Sequence, residues 1–272
     1  MNTRSVEAAR SSPFFSALAV QTRVIGALIL RELHTRYGRD NIGYLWMIGE
    51  PMLLASVIGL MHFANSHSAT LKGDLHPVPF GVLGYVTFIV FRGIVNRSVG
   101  GMDANAPLLY HRQVTPLDIS LARAVLEVAA VFLTFVILMG LLVLAGMANL
   151  PARPLSLIGA WALMFWHSLA QSLIISAISY ENRTVERLVH PYTYFMIGLS
   201  CAFFQVSWIP RPFRDVLTYI PVTSIMELAR YGWFRSANDD YVFLLYTIGW
   251  TLALTWLGLV LLNQMRNRIH LS

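Results

Sequence analysis

The sequence predicts an all-α membrane protein with six transmembrane helices, an N-terminal helix in the membrane interface, and re-entrant helices at the outer face. Of its 272 residues only 12% are charged and 56% are hydrophobic, and the apolar residues form long uninterrupted segments. A soluble domain carries about 25% charged residues. This composition excludes an ordinary soluble enzyme and a disordered chain, and a single cysteine, Cys201, excludes a disulfide scaffold.

Six apolar segments are long enough, or nearly so, to cross the hydrocarbon, which takes about 20 helical residues. They cover 43–65, 76–100, 119–147, 155–179, 188–207 and 241–263. Helices are predicted because backbone groups in lipid must find partners within their own segment. No repeat or composition break divides the chain. Residues 1–272 are therefore expected to form one transmembrane domain, with an N-terminus over 1–42, the spans over 43–263 and a tail over 264–272.

The segment before the first span predicts an amphipathic helix. Between Val24 and Tyr37 one side carries Ile25, Leu28, Ile29 and Leu33 at helical spacing. Its apolar face is interrupted by charge and is too short to span. We therefore expect a helix that lies in the interface.

Basic residues predict the orientation. Fourteen of the twenty lie in the N-terminal segment, at the connections between spans two and three and between four and five, and in the tail, whereas six lie on the opposite side. Cytoplasmic loops carry the excess of Lys and Arg, so both termini are expected in the cytoplasm. The net charge of +6 thus marks one membrane face and gives no reason to expect nucleic acid as a partner.

Two helix starts can be identified. Thr115, Pro116 and Asp118 form a capping box that begins span three. In the outer segment 208–235 the chain breaks at prolines, and Ser224 and Glu227 suggest a second capping box. A helix of about ten residues there is too short to span, so it is expected to be re-entrant.

Several strings carry a resemblance to a known family. They are Leu30-Arg31-Glu32-Leu33, Thr35-Arg36-Tyr37-Gly38, Gly43-Tyr44-Leu45-Trp46, Glu50-Pro51, Asn96-Arg97-Ser98-Val99-Gly100, Ala104-Asn105, Pro116-Leu117-Asp118, Ala122-Arg123-Ala124, and more loosely Pro221-Val222 with Glu227-Leu228-Ala229-Arg230. Together they resemble capsular polysaccharide export permeases, the membrane subunits of type 2 ABC exporters. The resemblance runs along essentially the whole chain.

The resemblance implies a homodimeric, non-enzymatic permease in the bacterial inner membrane that exports lipid-linked acidic polysaccharide. It implies two copies of a separate cytoplasmic ATPase, which binds the ATP and Mg, and a periplasmic co-polymerase-like partner. By motif position, the residues expected to contact the ATPase are Arg31, Glu32, Arg36, Asp103, Asn105, Tyr110 and Arg112. The outer segment would correspond to periplasmic re-entrant helices, with Glu227 and Arg230 as gate candidates.

The sequence itself also indicates that ATP would be hydrolysed by another protein. A Walker A loop needs a lysine after glycine, and the single lysine, Lys72, follows Leu71. The chain is therefore expected to hold no cofactor, and the energy must come from another polypeptide or from a proton gradient.

Arg92 is the leading substrate candidate. The apolar run before it, Phe80–Phe91, has twelve residues, or about 18 Å of helix, against a hydrocarbon core of about 30 Å. Arg92 should therefore lie within the membrane zone, either snorkelling to the interface or facing an aqueous path. The other substrate-path candidates are Arg97, Tyr44, Trp46, Glu50 and Phe88. Glu127 is expected to pair with Arg123 four residues earlier.

Alternatives remain open. O-antigen and teichoic acid exporters share the six-span plan. A proton-coupled transporter would need several inward acidic groups, of which Glu50 is one. An intramembrane serine protease at Ser200 would need a histidine base within reach, and span six contains none.

Overall fold

The computed structural model describes residues 13–37, 43–64, 74–109 and 114–269, and these ranges contain helices and no strand. The helices are α1 Pro13–Tyr37, α2 Gly43–Ala64, α3 Pro77–Ser98, α4 Ala106–Leu109, α5 Pro116–Leu144, α6 Pro154–Glu181, α7 Arg183–Leu199, α8 Arg211–Thr218, α9 Pro221–Trp233 and α10 Leu244–Ile269. Short 3₁₀ turns lie at Asp103–Asn105 and Val206–Trp208.

Four of the described helices are long and apolar enough to cross a membrane, judged by length and composition. They are α3, α5, α6 and α10, and they match four of the predicted spans within a few residues, except that α10 runs on to Ile269. Helix α2 begins at Gly43 as predicted, but its described apolar stretch, Ile48–Met61, is shorter. Large apolar side chains face outward from the spans, as contact with lipid requires; they include Phe132, Leu144, Leu245, Trp250 and Trp256.

Helix α3 lies at the centre of the bundle and is the most buried of the four candidate spans. It packs against α2, α5, α6, α7 and α9. Its side chains from Phe80 to Phe91 form the middle of the main apolar core. The two arginines near its end, Arg92 and Arg97, are therefore held by a rigid and well-packed element.

The predicted span 188–207 is wrong at both ends, because the helix covers Arg183–Leu199. It begins early because the Asn182 side-chain oxygen accepts the Thr184 N–H at 2.9 Å and caps the first turn. It ends early because Cys201 adopts a left-handed conformation (φ 57°). A non-glycine residue takes that conformation only when its surroundings enforce it.

The two predicted helix starts have different outcomes. At α5 the Thr115 hydroxyl accepts the Asp118 N–H and the Asp118 carboxylate accepts the Thr115 N–H, so that capping box is confirmed. The box at Ser224 and Glu227 is wrong, because α9 already begins at Pro221 and both residues lie inside it. Pro221 fixes the first helical position, where the missing N–H costs nothing.

Helix α1 is longer than the predicted segment and lies along α5 and α2. Its predicted apolar side is half-buried, and Leu28 packs against a small core formed with Met102, Leu109 and Ile119. Gln21 also donates to the Asp118 carboxylate of α5. The apolar face assigned to the interface is thus shared with the bundle itself.

Two side chains tie the chain after α9 to the neighbouring loops, at the end of the bundle predicted to face outward. The Asp74 carboxylate accepts the N–H groups of Arg235 and Ser236 at 2.7 and 3.0 Å, and the Ser236 hydroxyl as well. The Arg153 guanidinium donates to the Tyr231 carbonyl at 2.8 Å and lies 4.0 Å from the Tyr231 ring centroid. Segment 231–236 is therefore held from both sides.

Acid should release the Asp74 contact. Partial burial alone would raise the pKa of Asp74, but the hydrogen bonds from Ser236 and Arg235 outweigh it and lower that pKa. A carboxyl whose pKa falls on folding stabilises the fold above its ordinary pKa of 3.8, and that contribution is lost as pH falls through the lowered value. We expect Asp74→Asn to melt below the wild type at about pH 6, and the difference to shrink below pH 3.8.

Thermal unfolding of both proteins in detergent across this pH range would measure the effect. Asp239→Asn, an exposed carboxylate of the same loop region, is the matched control and should melt like the wild type. A difference between Asp74→Asn and wild type that persists unchanged at low pH would contradict the assignment.

Candidate functional site

A polar cavity of about 300 Å³ lies between α2, α3, α5 and α7. Its wall contains four charged side chains, Glu50, Arg92, Arg97 and Glu127. Charged groups within apolar spans are costly and therefore tend to mark functional paths. The cavity brings together three of the predicted substrate-path residues from two different helices.

Arg92 is half-buried in the cavity wall, and its guanidinium lies 4.2 Å from the centroid of the Tyr194 ring of α7. Among the described residues no carboxylate lies within ion-pair distance of it. A cation over an aromatic face gains about 0.5–2 kcal/mol and keeps its N–H edge free. A planar guanidinium can present that edge to a carboxylate or phosphate with two parallel hydrogen bonds.

Arg97 differs from Arg92 because its Nε donates to the Glu127 Oε2 at 3.0 Å, with Glu127 mostly buried. The predicted partner of Glu127 was Arg123 on its own helix. The ion pair that the structure gives Arg123 is instead with Glu32 of α1, at 2.9 Å. Helix spacing alone brings residues four apart close together, whereas the packing of α1 and α3 against α5 supplies the partners seen here.

The remaining substrate-path candidates have different surroundings. Glu50 lines the cavity and is exposed, without an ion pair to Arg92. Trp46 is 54% exposed and does not line the cavity. Phe88 is fully buried in the main apolar core, packs on Phe91 and does not line the cavity. The side chain of Tyr44 lies outside the described residues.

Two polar residues of the cavity wall, Asn96 and His190, were not among the predicted site residues. Tyr194, which stacks under Arg92, does not line the cavity itself. Asn96 lies one turn after Arg92 on α3, a helical spacing that could have identified it. His190 and Tyr194 come from α7, which sequence does not place beside α3.

The segments expected to contact an ATPase meet just beyond the C-terminal end of α3, the same end of the helix that carries Arg92 and Arg97. The Arg31 Nη1 donates to the Asn105 side-chain oxygen at 2.7 Å, and Asp103 is exposed beside it. Glu32, next to Arg31 on α1, holds Arg123. The structure thus brings α1 and the turn after α3 together. Tyr110, Arg112 and the side chain of Arg36 lie outside the described residues.

The gate candidates Glu227 and Arg230 form an ion pair inside the protein. The Arg230 Nη1 donates to the Glu227 Oε1 at 2.8 Å, and the Arg230 side chain is fully buried. Its Nη2 donates to the carbonyls of Cys201 and Ala202, and its guanidinium lies 4.6 Å from the Phe80 ring centroid. Glu227 also accepts the Val206 N–H at 3.1 Å. A role in gating stays a prediction.

Gly84 of α3 is required for this arrangement. A Cβ at this position would overlap the Ala202 carbonyl oxygen. The turn after α7 can therefore approach α3 closely enough for Arg230 to reach it only because residue 84 has no side chain.

Within the described residues no group of three or more His, Cys, Asp or Glu side chains is placed to hold a metal ion. The polar residues serve instead as ion pairs, helix caps and the wall of one charged cavity.

Apolar helices around a partly open, charged cavity are typical of multi-span membrane transport proteins. The chain belongs to the ABC-2 type transporter family, whose family model matches residues 23–234. It is 35% identical to the capsule polysaccharide export inner-membrane protein CtrC of Neisseria meningitidis serogroup B, over 97% of this chain and 99% of that protein. It is 33% identical to the capsule polysaccharide export inner-membrane protein BexB of Haemophilus influenzae, over 94% of this chain and 96% of that protein. It is 30% identical to the polysialic acid transport protein KpsM of Escherichia coli, over 90% of this chain and 95% of that protein.

Proposed function

We propose that this chain is the membrane subunit of an ATP-driven exporter that moves lipid-linked acidic capsular polysaccharide across the bacterial inner membrane. The observation that carries the proposal is the likeness over nearly the whole chain to proteins named for capsule polysaccharide export. The cavity supports it, because Arg92 offers a guanidinium that no described carboxylate neutralises. An acidic sugar or a lipid phosphate would supply the missing anion.

The proposal includes the finer architecture. Helices α2 and α7 would complete six spans, α8 and α9 would form the periplasmic re-entrant segment, and both termini would lie in the cytoplasm. Two copies of the chain would enclose the path. Two ATPase subunits, which bind ATP and Mg, would dock on α1 and the turn after α3. The periplasmic side would meet a co-polymerase-like partner.

Transport into inverted membrane vesicles would test the proposal. We expect vesicles that contain this chain and its ATPase to take up acidic lipid-linked polysaccharide when ATP is added, and to fail with a non-hydrolysable ATP analogue. Uptake that continues without ATP hydrolysis but stops with a proton uncoupler would favour the proton-coupled alternative. Preferential uptake of a neutral polysaccharide would favour an O-antigen type exporter.

A further inference from the structure

Arg123 of α5 lies at the junction of three helices. Its Nε donates to the Glu32 Oε1 of α1 at 2.9 Å, and its Nη1 donates to the Arg97 carbonyl of α3 at 2.9 Å. Only 17% of the Arg123 side chain and 14% of the Glu32 side chain are exposed. The Coulomb attraction between two charges is stronger when they are shielded from water in this way.

On one side, this junction leads into the charged cavity. Arg97, whose carbonyl receives Arg123, uses its own side chain to hold Glu127 at 3.0 Å. Both Arg97 and Glu127 line the cavity that contains Arg92. A displacement of Arg123 therefore acts directly on the backbone of a residue in the cavity wall.

On the other side, the junction leads to the turn after α3. Arg31 is adjacent to Glu32 on α1 and donates to the Asn105 side-chain oxygen at 2.7 Å. Asn105 in turn donates to the Gly101 carbonyl at 2.8 Å. Two neighbouring residues of α1 thus hold the turn after α3 and Arg123 together.

Arg123 is closely packed against the turn after α3. A Cβ at Gly101 would overlap the Arg123 Nη1. Arg123 and the 98–105 turn are consequently in contact, and neither can shift far without moving the other.

We propose that Arg123 is a positioning residue that transmits movement of α1 to the Arg97–Glu127 pair in the cavity wall. This inference rests on the proposed function, because it takes α1 and the turn after α3 as the surface on which the ATPase acts. Arg123 links residues expected for motor contact with residues expected for substrate contact.

A chain of contacts demonstrates coupling only when a coupling energy is measured. The experiment uses the full permease–ATPase complex in vesicles and measures ATP hydrolysed per polysaccharide exported. We expect Arg123→Gln to raise this ratio about fivefold or more, since couplings between sites commonly span about 5–150-fold. Glu32→Gln should raise it in the same direction, and the double variant should add little to Arg123→Gln alone, because both changes break the Arg123–Glu32 contact.

Arg123→Lys keeps the charge toward Glu32 but cannot donate from two separate edges, so it should fall between wild type and Arg123→Gln. Arg187→Gln, at an exposed arginine of α7, is the matched control and should keep the wild-type ratio. Glu32→Gln keeps the test valid if Arg123→Gln fails to fold, because it leaves the Arg123 contact to Arg97 in place.

A wild-type ratio in both Arg123→Gln and Glu32→Gln would overturn the inference, even where hydrolysis and export fall together, because that result indicates a structural role alone. Independent, additive effects of the two changes would also overturn it. Wild-type vesicles that export no acidic polysaccharide would instead refute the proposed function, and the inference would fall with it.

Discussion

Replacement of Arg230 by alanine should destabilise the protein by about 3–5 kcal/mol, the usual cost of removing one partner from a buried ion pair. Glu227, only 4% exposed, would lose its cation, and the carbonyls of Cys201 and Ala202 would have no donor from residue 230. The cation over the Phe80 ring would also be absent. Thermal unfolding in detergent should therefore begin at a clearly lower temperature.

The matched control is Arg211→Ala, an exposed arginine of the same outer segment, and it should change stability by no more than about 0.5 kcal/mol. Glu227→Gln should cost less than Arg230→Ala, because an amide oxygen can still accept the Val206 N–H and the Arg230 donor. If Arg230→Ala melted at the wild-type temperature, the buried pair would not hold the turn after α7, and a role in gating alone would remain.

Arg92→Ala should reduce export of acidic polysaccharide about tenfold or more. A hydrogen bond to a charged group contributes about 1.5–3 kcal/mol, and every 1.4 kcal/mol is about tenfold. The protein should still fold and bind its ATPase, because Arg92 interacts with the described part of the chain by stacking on the exposed Tyr194. Arg92→Lys should retain part of the activity, since it keeps the charge but not the planar, two-edged donor.

Export should be measured together with the amount of assembled complex, so that a defect in transport is separated from a lower amount of protein. Arg183→Gln, at an exposed arginine, is the control and should export like the wild type. Wild-type export by Arg92→Ala would place Arg92 at the interface as a snorkelling residue and remove it from the substrate path.

Much of the helical plan was predictable from the sequence because it depends on local signals. Long apolar runs define α3, α5, α6 and α10, and the Thr115 and Asp118 capping box sets the start of α5. The end of α7 was not predictable, because neither glycine nor proline follows Leu199. The helix stops where Arg230, about thirty residues later in the chain, donates hydrogen bonds to the carbonyls of Cys201 and Ala202.

The candidate site was predictable only in part. The charge of Arg92 inside an apolar segment indicated a functional site directly. The structure places Glu50 and Arg97 in the same cavity as Arg92. Phe88 could not be assigned from sequence, since an aromatic residue in a span suits either the core or a path, and packing put it in the core. A partner on another helix, such as Tyr194 for Arg92, cannot be recognised from the spacing of residues along one helix.

The sequence alone determined the class of protein, the main apolar helices and the charge that marks the cavity. These follow from hydrophobicity and local capping, which act within one or two helical turns. Only the tertiary structure decided which charges pair. It joined Arg97 with Glu127, Arg123 with Glu32, and Arg230 with the turn after α7. The reason is physical: in a low-dielectric bundle a buried charge must find a partner, and helix packing determines which one is within reach.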